Sequence, residues 1–242
     1  LKPELQINDH PEHQHGHEQS VRIIHKGKPY TIKPGNPVTL SMRPEINAVI
    51  FDLDGVITDT SEYHYLAWKQ LADEMGYTFS REINEELRGI GRLESLDIIL
   101  DASGVTLSVE ERFNQGELKN SYYKELLKSI TPENLLPGIR DFIDELKEHR
   151  IRIALASASR NAPEVIKRLG IENDFDVVMD AGAVEKGKPD PEIFVSAAEK
   201  LNVEPEFCVG VEDAAAGIMS IKSAGIFSVG IGPAAAEADW AI

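Results

Sequence analysis

The feature that most constrains the fold is an alternation of short apolar runs with amphipathic segments of helical period. Residues 48–51 (AVIF) form a continuous apolar run, which is typical of a parallel strand buried on both faces. Residues 139–146 carry apolar side chains at i, i+3, i+4 and i+7, the spacing of one helix face. Further strand candidates are residues 151–156, 177–179, 207–211 and 227–229, and helical stretches between them are residues 165–169, 193–201 and 214–224. This pattern predicts an α/β protein with a doubly wound, Rossmann-like parallel sheet.

Residues 61–130 interrupt the alternation, because they show helical periods and no strand candidate. Three apolar stripes run through them: Tyr65, Trp68, Leu71, Ala72 and Met75; Leu96, Ile99 and Leu100; and Phe113, Leu118, Leu126, Leu127 and Ile130. We interpret 61–130 as an all-helical cap inserted into a core of residues 45–60 and 131–242. The hinges are expected near 59–60 and 131–132.

The first 44 residues form a short β-rich segment of different composition. Residues 1–42 hold five Lys or Arg against four Asp or Glu, five of the seven histidines and five of the thirteen prolines. Residues 21–24 and 29–32 flank a short polar turn and predict a β-hairpin, with a third strand at 37–40. Four of the histidines (His10, His13, His15 and His17) lack an acidic or cysteine partner at zinc spacing, so we interpret them as a polar loop.

Charge and cysteine content exclude several functions. The formal net charge is −16, which argues against nucleic acid or an anionic membrane surface as the main partner. A small phosphorylated substrate remains compatible, since it needs only a local positive site. The single cysteine, Cys208, excludes an intramolecular disulfide and fits a reducing compartment, so we expect a cytoplasmic protein. No apolar run reaches the roughly 18 residues that a membrane span requires.

Chemically versatile side chains follow four of the predicted strands. Asp52 and Asp54 follow the first strand, where alternate residues share a face and two carboxylates can hold Mg²⁺, attack phosphorus or move a proton. The stretch 157–161 (SASRN) offers a hydroxyl and backbone N–H groups to an anion. Lys188 adds a cation, and residues 212–213 (ED) add two oxygen ligands. Each feature alone also fits a solvated loop or a helix cap, but their order at successive strand ends favours a phosphate and metal site.

The same stretches resemble a known superfamily. Residues 52–60 (DLDGVITDT) resemble the first motif of the haloacid dehalogenase-like phosphotransferases, and Ser157, Lys188 and residues 212–213 match the second, third and fourth motifs. Within that superfamily, residues 47–242 resemble the β-phosphoglucomutase family. The dehalogenases lack an aspartate at the position of Asp54, so the resemblance favours phosphoryl chemistry.

The resemblance implies a role for each motif residue. Asp52 is expected to be the nucleophile that becomes an aspartyl phosphate, and Asp54 the general acid/base. The expected Mg²⁺ ligands are Asp52, the backbone carbonyl of Asp54, Glu212 and Asp213. The transferring phosphate is expected to meet Ser157, Ala158 and Lys188. The second phosphate is expected to meet Arg92 on the cap and Ser159, Arg160 and Asn161 on the core.

The resemblance also implies a substrate-facing surface on the cap. His64 is expected to couple cap closure to Asp54, and the expected sugar-side residues are Trp68, Leu87, Arg88, Gly89, Ile90, Gly91, Arg92, Ser95 and Lys119. By residue type alone, His64 fits a surface or capping histidine, Trp68 fits a core position, and Arg88 and Arg92 fit a solvated helix face. Arg88 departs from the lysine that the family commonly has, and arginine differs from lysine in geometry.

The resemblance therefore predicts a Mg²⁺-dependent enzyme that interconverts β-D-glucose 1-phosphate and glucose 6-phosphate. A sugar-phosphate phosphatase of the same superfamily is the alternative enzyme. A phosphorylatable receiver-like module is the non-enzyme alternative, although it requires neither a cap nor Asp54. Residues 21–38 resemble the C-terminal β-domain of inverting disaccharide phosphorylases, which predicts a fused or coupled phosphorylase. An unrelated linker is the other interpretation, and the sequence upstream of Leu1 would decide between them.

Overall fold

The computed structural model describes residues 5–6, 21–25, 28–32 and 46–241, and the chain divides into two compact units, Leu1–Ile46 and Asn47–Ile242. In the first unit, β1 (Leu5–Gln6), β2 (Val21–His25) and β3 (Lys28–Ile32) form an antiparallel sheet with β2 in the centre. The predicted hairpin is therefore present. The predicted strand at 37–40 and the four clustered histidines lie outside the described residues.

The second unit contains a six-stranded parallel sheet. Its strands are β4 (Ala48–Phe51), β5 (Arg152–Leu155), β6 (Val177–Val178), β7 (Cys208–Glu212), β8 (Phe227–Gly230) and β9 (Trp240–Ala241). Their order is β6-β5-β4-β7-β8-β9, and every neighbouring pair is parallel. This arrangement confirms the predicted doubly wound sheet, whereas the two-residue β9 was not predicted because it is too short to show a period.

Eight α-helices accompany this sheet in residues 46–241. Between β4 and β5 lie α1 (Ser61–Met75), α2 (Arg81–Glu86), α3 (Arg92–Ser103), α4 (Val109–Leu127) and α5 (Ile139–Glu148). The later strands alternate with α6 (Ala162–Arg168), α7 (Glu192–Leu201) and α8 (Ala215–Ser223). Helices α1–α4 occupy the span predicted to be the cap. Not one helix of the described part of the chain combines the length and apolar character that crossing a membrane demands.

The sheet is buried on both faces because helices cover both sides of β4. Ile50 belongs to a cluster with Phe194 of α7 and Ile221 of α8. Phe51, the next residue, packs edge-on against Phe142 of α5 at 5.8 Å between ring centroids. Alternate residues of a strand point to opposite faces, so a continuous apolar run serves both layers.

The cap has its own apolar core, which differs in part from the predicted stripes. Trp68 packs with Leu71, Leu87, Leu96, Ile99 and Leu100. Phe113 and Met75, which lie on the apolar stripes of the sequence, are 54% and 39% exposed and do not belong to this core. The buried face of α4 begins at Gly116, beyond Phe113, and Met75 is the last residue of α1. The next buried residues of α4 are Lys119, Asn120 and Tyr123. A search for apolar residues at helical spacing does not find them, because two of the three are polar.

Candidate active site

The first motif turns sharply as it leaves β4. Asp52 follows the strand directly, and its Oδ2 accepts a hydrogen bond from the Asp54 amide at 3.0 Å. Gly55 has a φ of +73°, and its amide donates to the Thr58 carbonyl at 2.7 Å. A Cβ at Gly55 would lie 2.0 Å from Asp213 Oδ2. Glycine is therefore required here both by backbone conformation and by the close approach of the fourth motif.

Lys188 lies against the nucleophile candidate in the interior. Its Nζ is 2.6 Å from Asp52 Oδ1 and 3.5 Å from Glu212 Oε1, and 1% of its side chain is exposed. Burial opposes the charge of Lys188, but Asp52 and Glu212 outweigh burial and raise its pKa. Lys188 therefore remains a cation beside Asp52, where it can neutralise a phosphoryl oxygen.

Three carboxylates converge at the ends of β4 and β7. Asp52, Glu212 and Asp213 each offer an oxygen, and these atoms lie within 4.8 Å of one another. Both Glu212 carboxylate oxygens are buried without a hydrogen-bond partner. Burial, and then the charge of Asp52, raise the pKa of Glu212 well above its usual value. Three converging carboxylates, of which Glu212 has two buried oxygens without a hydrogen-bond partner, suit a hard divalent cation, so the residues present fit a divalent metal site.

Asp54 differs from Asp52 in its surroundings. Its Oδ1 accepts hydrogen bonds from the Thr60 amide, at 3.3 Å, and from the Thr60 hydroxyl. Burial and then the negative charge of Asp52 raise the pKa of Asp54 to about 7. Near neutral pH this carboxyl can therefore both give and accept a proton, as a general acid/base must.

The stretch after β5 forms a compact polar loop. The Ser159 amide donates to Ser157 Oγ at 3.1 Å, and the Asn161 amide donates to Ser159 Oγ at 3.3 Å. Ser157 is 3% exposed, whereas Arg160 is exposed. Ala158 lies between the two serines. The loop presents hydroxyl groups and a guanidinium at the carboxyl ends of the strands. These groups are suited to binding an anion.

The cap contacts the core at the carboxyl ends of the parallel strands. Arg88 Nη2 donates to Asp213 Oδ2 at 2.8 Å, and Asn161 Nδ2 donates to Asn120 Oδ1 of the cap at 2.8 Å. At Gly89, a Cβ would lie 3.1 Å from the Ala214 side chain. The segment from Leu87 to Gly91 therefore reaches the candidate metal ligands, and the cap covers the strand ends.

A buried cluster of polar and aromatic residues lies within the cap. Lys119 Nζ is 3.0 Å from His64 Nδ1 and 4.7 Å from the centre of the Trp68 ring. Burial, followed by the charge of Arg92, lowers the pKa of Lys119 to about 7. Burial and then Lys119 lower the pKa of His64 well below its usual value. Within residues 46–241, His64 contacts Lys119 and the Tyr123 ring rather than forming a hydrogen bond with Asp54.

The remaining predicted cap residues divide between the active-site edge and the cap interior. Arg92 Nη2 pairs with Glu117 at 2.8 Å, while its Nη1 is buried without a partner. Burial lowers the Arg92 pKa, Glu117 opposes this, and nearby Arg160 adds to it. Trp68 and Leu87 are 2% and 8% exposed in the cap core, and Ser95 is buried in α3. Ile90 and Gly91 lead from the Arg88 loop into α3.

Three residues of the site were not predicted. Thr60 holds Asp54, Tyr123 contacts Thr60, and Asn120 bridges the cap to Asn161. Thr60 ends the first motif, and Asn120 follows Lys119, so their positions offered a weak signal. Tyr123 offered none, because an aromatic residue at helical spacing is an ordinary core residue.

The fold and site define a class of protein: a capped α/β phosphotransferase with a carboxylate pair, a lysine and a divalent metal site. The sequence model described as haloacid dehalogenase-like hydrolase matches residues 46–225, and the chain belongs to this family. The match begins after the N-terminal segment, so the resemblance of residues 21–38 to phosphorylases stays a prediction.

Two named proteins and one solved structure are similar to most of this chain. The chain is 50% identical to a β-phosphoglucomutase of Bacillus subtilis over 189 residues, covering 77% of this chain and 84% of that protein. It is 38% identical to a phosphorylated carbohydrates phosphatase of Thermotoga maritima, covering 75% and 82%. The crystal structure of a β-phosphoglucomutase from Clostridium difficile superposes with a TM-score of 0.79 at 47% identity, covering 81% of this chain and 90% of that one.

Proposed function

We propose that this enzyme is a β-phosphoglucomutase, which interconverts β-D-glucose 1-phosphate and glucose 6-phosphate. The contrast between Asp52 and Asp54 carries the proposal. Asp52 lies 2.6 Å from a buried lysine, whereas Asp54 has a pKa raised to about 7. Two adjacent carboxyl groups are thereby suited to different tasks, nucleophilic attack and proton transfer. The 50% identity to a named β-phosphoglucomutase supports the same assignment.

The proposed reaction proceeds in two phosphoryl transfers. Phosphorylated Asp52 gives its phosphoryl group to the 6-hydroxyl of β-glucose 1-phosphate, while Asp54 accepts the hydroxyl proton. The product is β-glucose 1,6-bisphosphate, which reorients in the site. Asp52 then attacks the phosphorus at position 1, the P–O bond to the sugar breaks, and Asp54 returns its proton to the departing oxygen. Glucose 6-phosphate leaves, and Asp52 is again phosphorylated.

The proposed metal is Mg²⁺, held by Asp52, Glu212, Asp213 and the Asp54 carbonyl. When bound, it supplies positive charge to the oxygens of the transferring phosphoryl group. Ser157 and the Ala158 amide bind the same phosphoryl group together with Lys188. Asp52 accepts a hydrogen bond from the Asp54 amide at Oδ2 and one from Lys188 Nζ at Oδ1. These two bonds hold its carboxylate in one orientation.

The proposed sugar phosphate lies between the core and the cap. Its second phosphate binds Arg92, whose Nη1 is buried without a partner, together with the core residues Ser159, Arg160 and Asn161. The sugar faces the cap residues His64, Trp68, Leu87, Arg88, Gly89, Ile90, Gly91, Ser95 and Lys119. Cap closure excludes water and so favours a sugar acceptor.

We also propose the limits of the core and the cap and the cellular location of the enzyme. The core comprises residues 45–60 and 131–242, and the cap comprises 61–130. We place the enzyme in the reducing cytoplasm because the chain has a single cysteine, Cys208, and that thiol is free and buried.

A sugar-phosphate phosphatase is the second candidate, favoured by the 38% identity to a phosphorylated carbohydrates phosphatase. Both activities use the same motifs and differ in whether sugar or water accepts the phosphoryl group. The two contacts that hold the cap on the core, Arg88–Asp213 and Asn120–Asn161, favour the mutase because they limit access of water.

One assay separates the two. The enzyme receives β-glucose 1-phosphate, Mg²⁺ and a trace of β-glucose 1,6-bisphosphate, and glucose 6-phosphate and free phosphate are followed together. We expect mainly glucose 6-phosphate, and mainly free phosphate would overturn the mutase assignment. Asp54→Asn should reduce turnover by roughly 10²- to 10⁴-fold, the usual contribution of a general acid/base. Full activity in that variant would refute the role of Asp54.

A further inference from the structure

Tyr123 lies at the point where the cap meets the first motif. It belongs to α4 and is 1% exposed. Its hydroxyl is 2.9 Å from Thr60 Oγ1, and Thr60 immediately precedes α1. The Tyr123 ring contacts the His64 ring at 4.1 Å between centroids, and Lys119 Nζ lies 4.9 Å from the ring centre. A buried tyrosine normally directs its hydroxyl to a partner, and here the partner is the residue that holds Asp54.

The direction of these hydrogen bonds follows from the protons available. The Thr60 hydroxyl has one proton and donates it to Asp54 Oδ1. Thr60 Oγ1 can therefore only accept from Tyr123, so Tyr123 must be the donor. Burial, and then the charge of Asp54, raise the Tyr123 pKa well above its usual value, which keeps that donor proton in place.

The chain of hydrogen bonds distinguishes the two oxygens of Asp54. Oδ1 receives two bonds from Thr60, one from the amide and one from the hydroxyl. Among residues 46–241, Asp54 Oδ2 receives no protein hydrogen bond of this kind. A carboxyl held at one oxygen exchanges its proton through the other.

We propose that Tyr123 is a positioning residue: through the Thr60 hydroxyl it fixes Asp54 Oδ1, so that Oδ2 faces the reacting hydroxyl. This inference rests on the proposed role of Asp54 as general acid/base. Tyr123 itself touches no reacting atom, and it reaches Asp54 through Thr60. Its hydroxyl also meets the Ser159 hydroxyl, which must be the donor of that bond because the single Tyr123 proton is given to Thr60. It is supplied by the cap, whereas Asp54 belongs to the core motif, so the acid is aligned by a group from the other side of the hinge.

The test compares Tyr123→Phe with Tyr122→Phe in the mutase assay described above. The first variant removes the hydroxyl and keeps the ring on His64. The control removes the adjacent hydroxyl on α4, which bonds Glu74 on α1 rather than the active site. We expect Tyr123→Phe to lower kcat roughly tenfold to a hundredfold, with KM changed less than about twofold. Tyr122→Phe should retain the kcat of the wild type.

A double-mutant cycle tests whether Tyr123 acts through Thr60. Thr60→Ser keeps the hydroxyl and should retain most of kcat. Thr60→Val keeps the shape and should lower kcat at least as much as Tyr123→Phe, because it also removes the hydroxyl that bonds Asp54. Adding Tyr123→Phe to Thr60→Val should lower kcat no further, because the connecting hydroxyl is already absent. A kcat for Tyr123→Phe within about threefold of the wild type, or fully multiplicative effects in the double variant, would overturn the inference.

Failure of the proposed function gives a different result. If the wild type releases mainly free phosphate, the mutase assignment is wrong, and the same variants are compared on phosphate release. Proton transfer by Asp54 serves that reaction too, so the same loss for Tyr123→Phe is expected there. Unchanged phosphate release in Tyr123→Phe would overturn the positioning role independently of the substrate.

Discussion

Arg88 of the cap and Asp213 of the core form an ion pair across the active-site edge. Their closest atoms, Nη2 and Oδ2, are 2.8 Å apart, and the two side chains are 42% and 13% exposed. Asp213 is also one of the three carboxylates that converge on the candidate metal site. Burial raises the Asp213 pKa, as does Asp52, whereas Arg88 lowers it. The guanidinium and a divalent cation therefore compete for the same negative charge.

Replacing Arg88 should strengthen metal binding. Arg88→Ala frees Asp213, and a partly exposed ion pair contributes at most about 1 kcal/mol. We expect the affinity for Mg²⁺ to rise roughly two- to fivefold, measured by isothermal titration calorimetry without substrate. Arg81→Ala is the matched control, since Arg81 pairs with Glu62 on the exposed cap surface. An affinity that stays equal or falls in Arg88→Ala would show that no competition exists.

Replacing Gly217 by alanine should destabilise the protein, although the same change in an ordinary helix stabilises it. In an ordinary helix interior, Gly→Ala stabilises a protein by roughly 1 kcal/mol. At Gly217 of α8, a Cβ would lie 1.7 Å from Glu212 Oε1, and Glu212 is fully buried. Gly217→Ala should therefore lower the free energy of unfolding by about 1–3 kcal/mol in urea titrations, as overpacking does. It should also weaken Mg²⁺ binding.

Gly116 provides the matched control. It lies within α4, and a Cβ there would be 3.1 Å from the terminal Leu93 Cδ2, an atom that can shift. Gly116→Ala should change the free energy of unfolding by less than about 1 kcal/mol. Equal destabilisation by the two substitutions would contradict the view that Glu212 causes the effect at Gly217.

The parallel sheet and the four motifs were predictable because both depend on short-range patterns. A continuous apolar run such as Ala48–Phe51 is typical of a strand buried on both faces of a parallel sheet, and parallel strands bring their carboxyl ends to the same end of the sheet. Asp52 and Lys188 are separated by 136 residues, yet their meeting follows from that topology.

The interior of the cap could not be predicted in the same way. Lys119 and His64 meet across 55 residues through the packing of α1 on α4, which follows from side-chain fit rather than from period. The buried face of α4 carries lysine, asparagine and tyrosine, so an apolar search selected Phe113 instead. The Arg88–Asp213 pair depends on the position of the whole cap, and neither residue signals it.

Asp54 should make folding stability depend on pH. Its pKa is raised to about 7 in the folded protein, so between about pH 4 and 7 the folded state holds a proton that the unfolded state has released. Stability from this group therefore falls as pH rises through that window. Asp54→Asn removes the dependence, and its stabilisation over the wild type should grow by roughly 1–3 kcal/mol between pH 5 and 8.

This comparison is made by urea unfolding in buffer containing a chelator, because a bound cation would alter the charge of the site. Asp101→Asn serves as the control, since that carboxyl is exposed on α3. Its difference from the wild type should stay constant from pH 5 to 8. If Asp54→Asn shows the same constant difference, the carboxyl is not held protonated in the folded enzyme.

Lys119 should produce the opposite dependence at higher pH. Burial, and then Arg92, lower its pKa to about 7, so between about pH 7 and 10.5 the unfolded state binds a proton that the folded state lacks. Stability from this group rises with pH through that window, and the full penalty is present below it. Lys119→Met removes the penalty and should stabilise the protein at pH 6.5 by roughly 1–3 kcal/mol, a gain that shrinks towards pH 10.

Urea unfolding at the two pH values measures this gain. The control is Lys69→Met, which replaces a lysine paired with Asp73 on the exposed face of α1 and should leave the pH profile unchanged. A gain that is independent of pH would mean that Lys119 keeps its charge inside the cap.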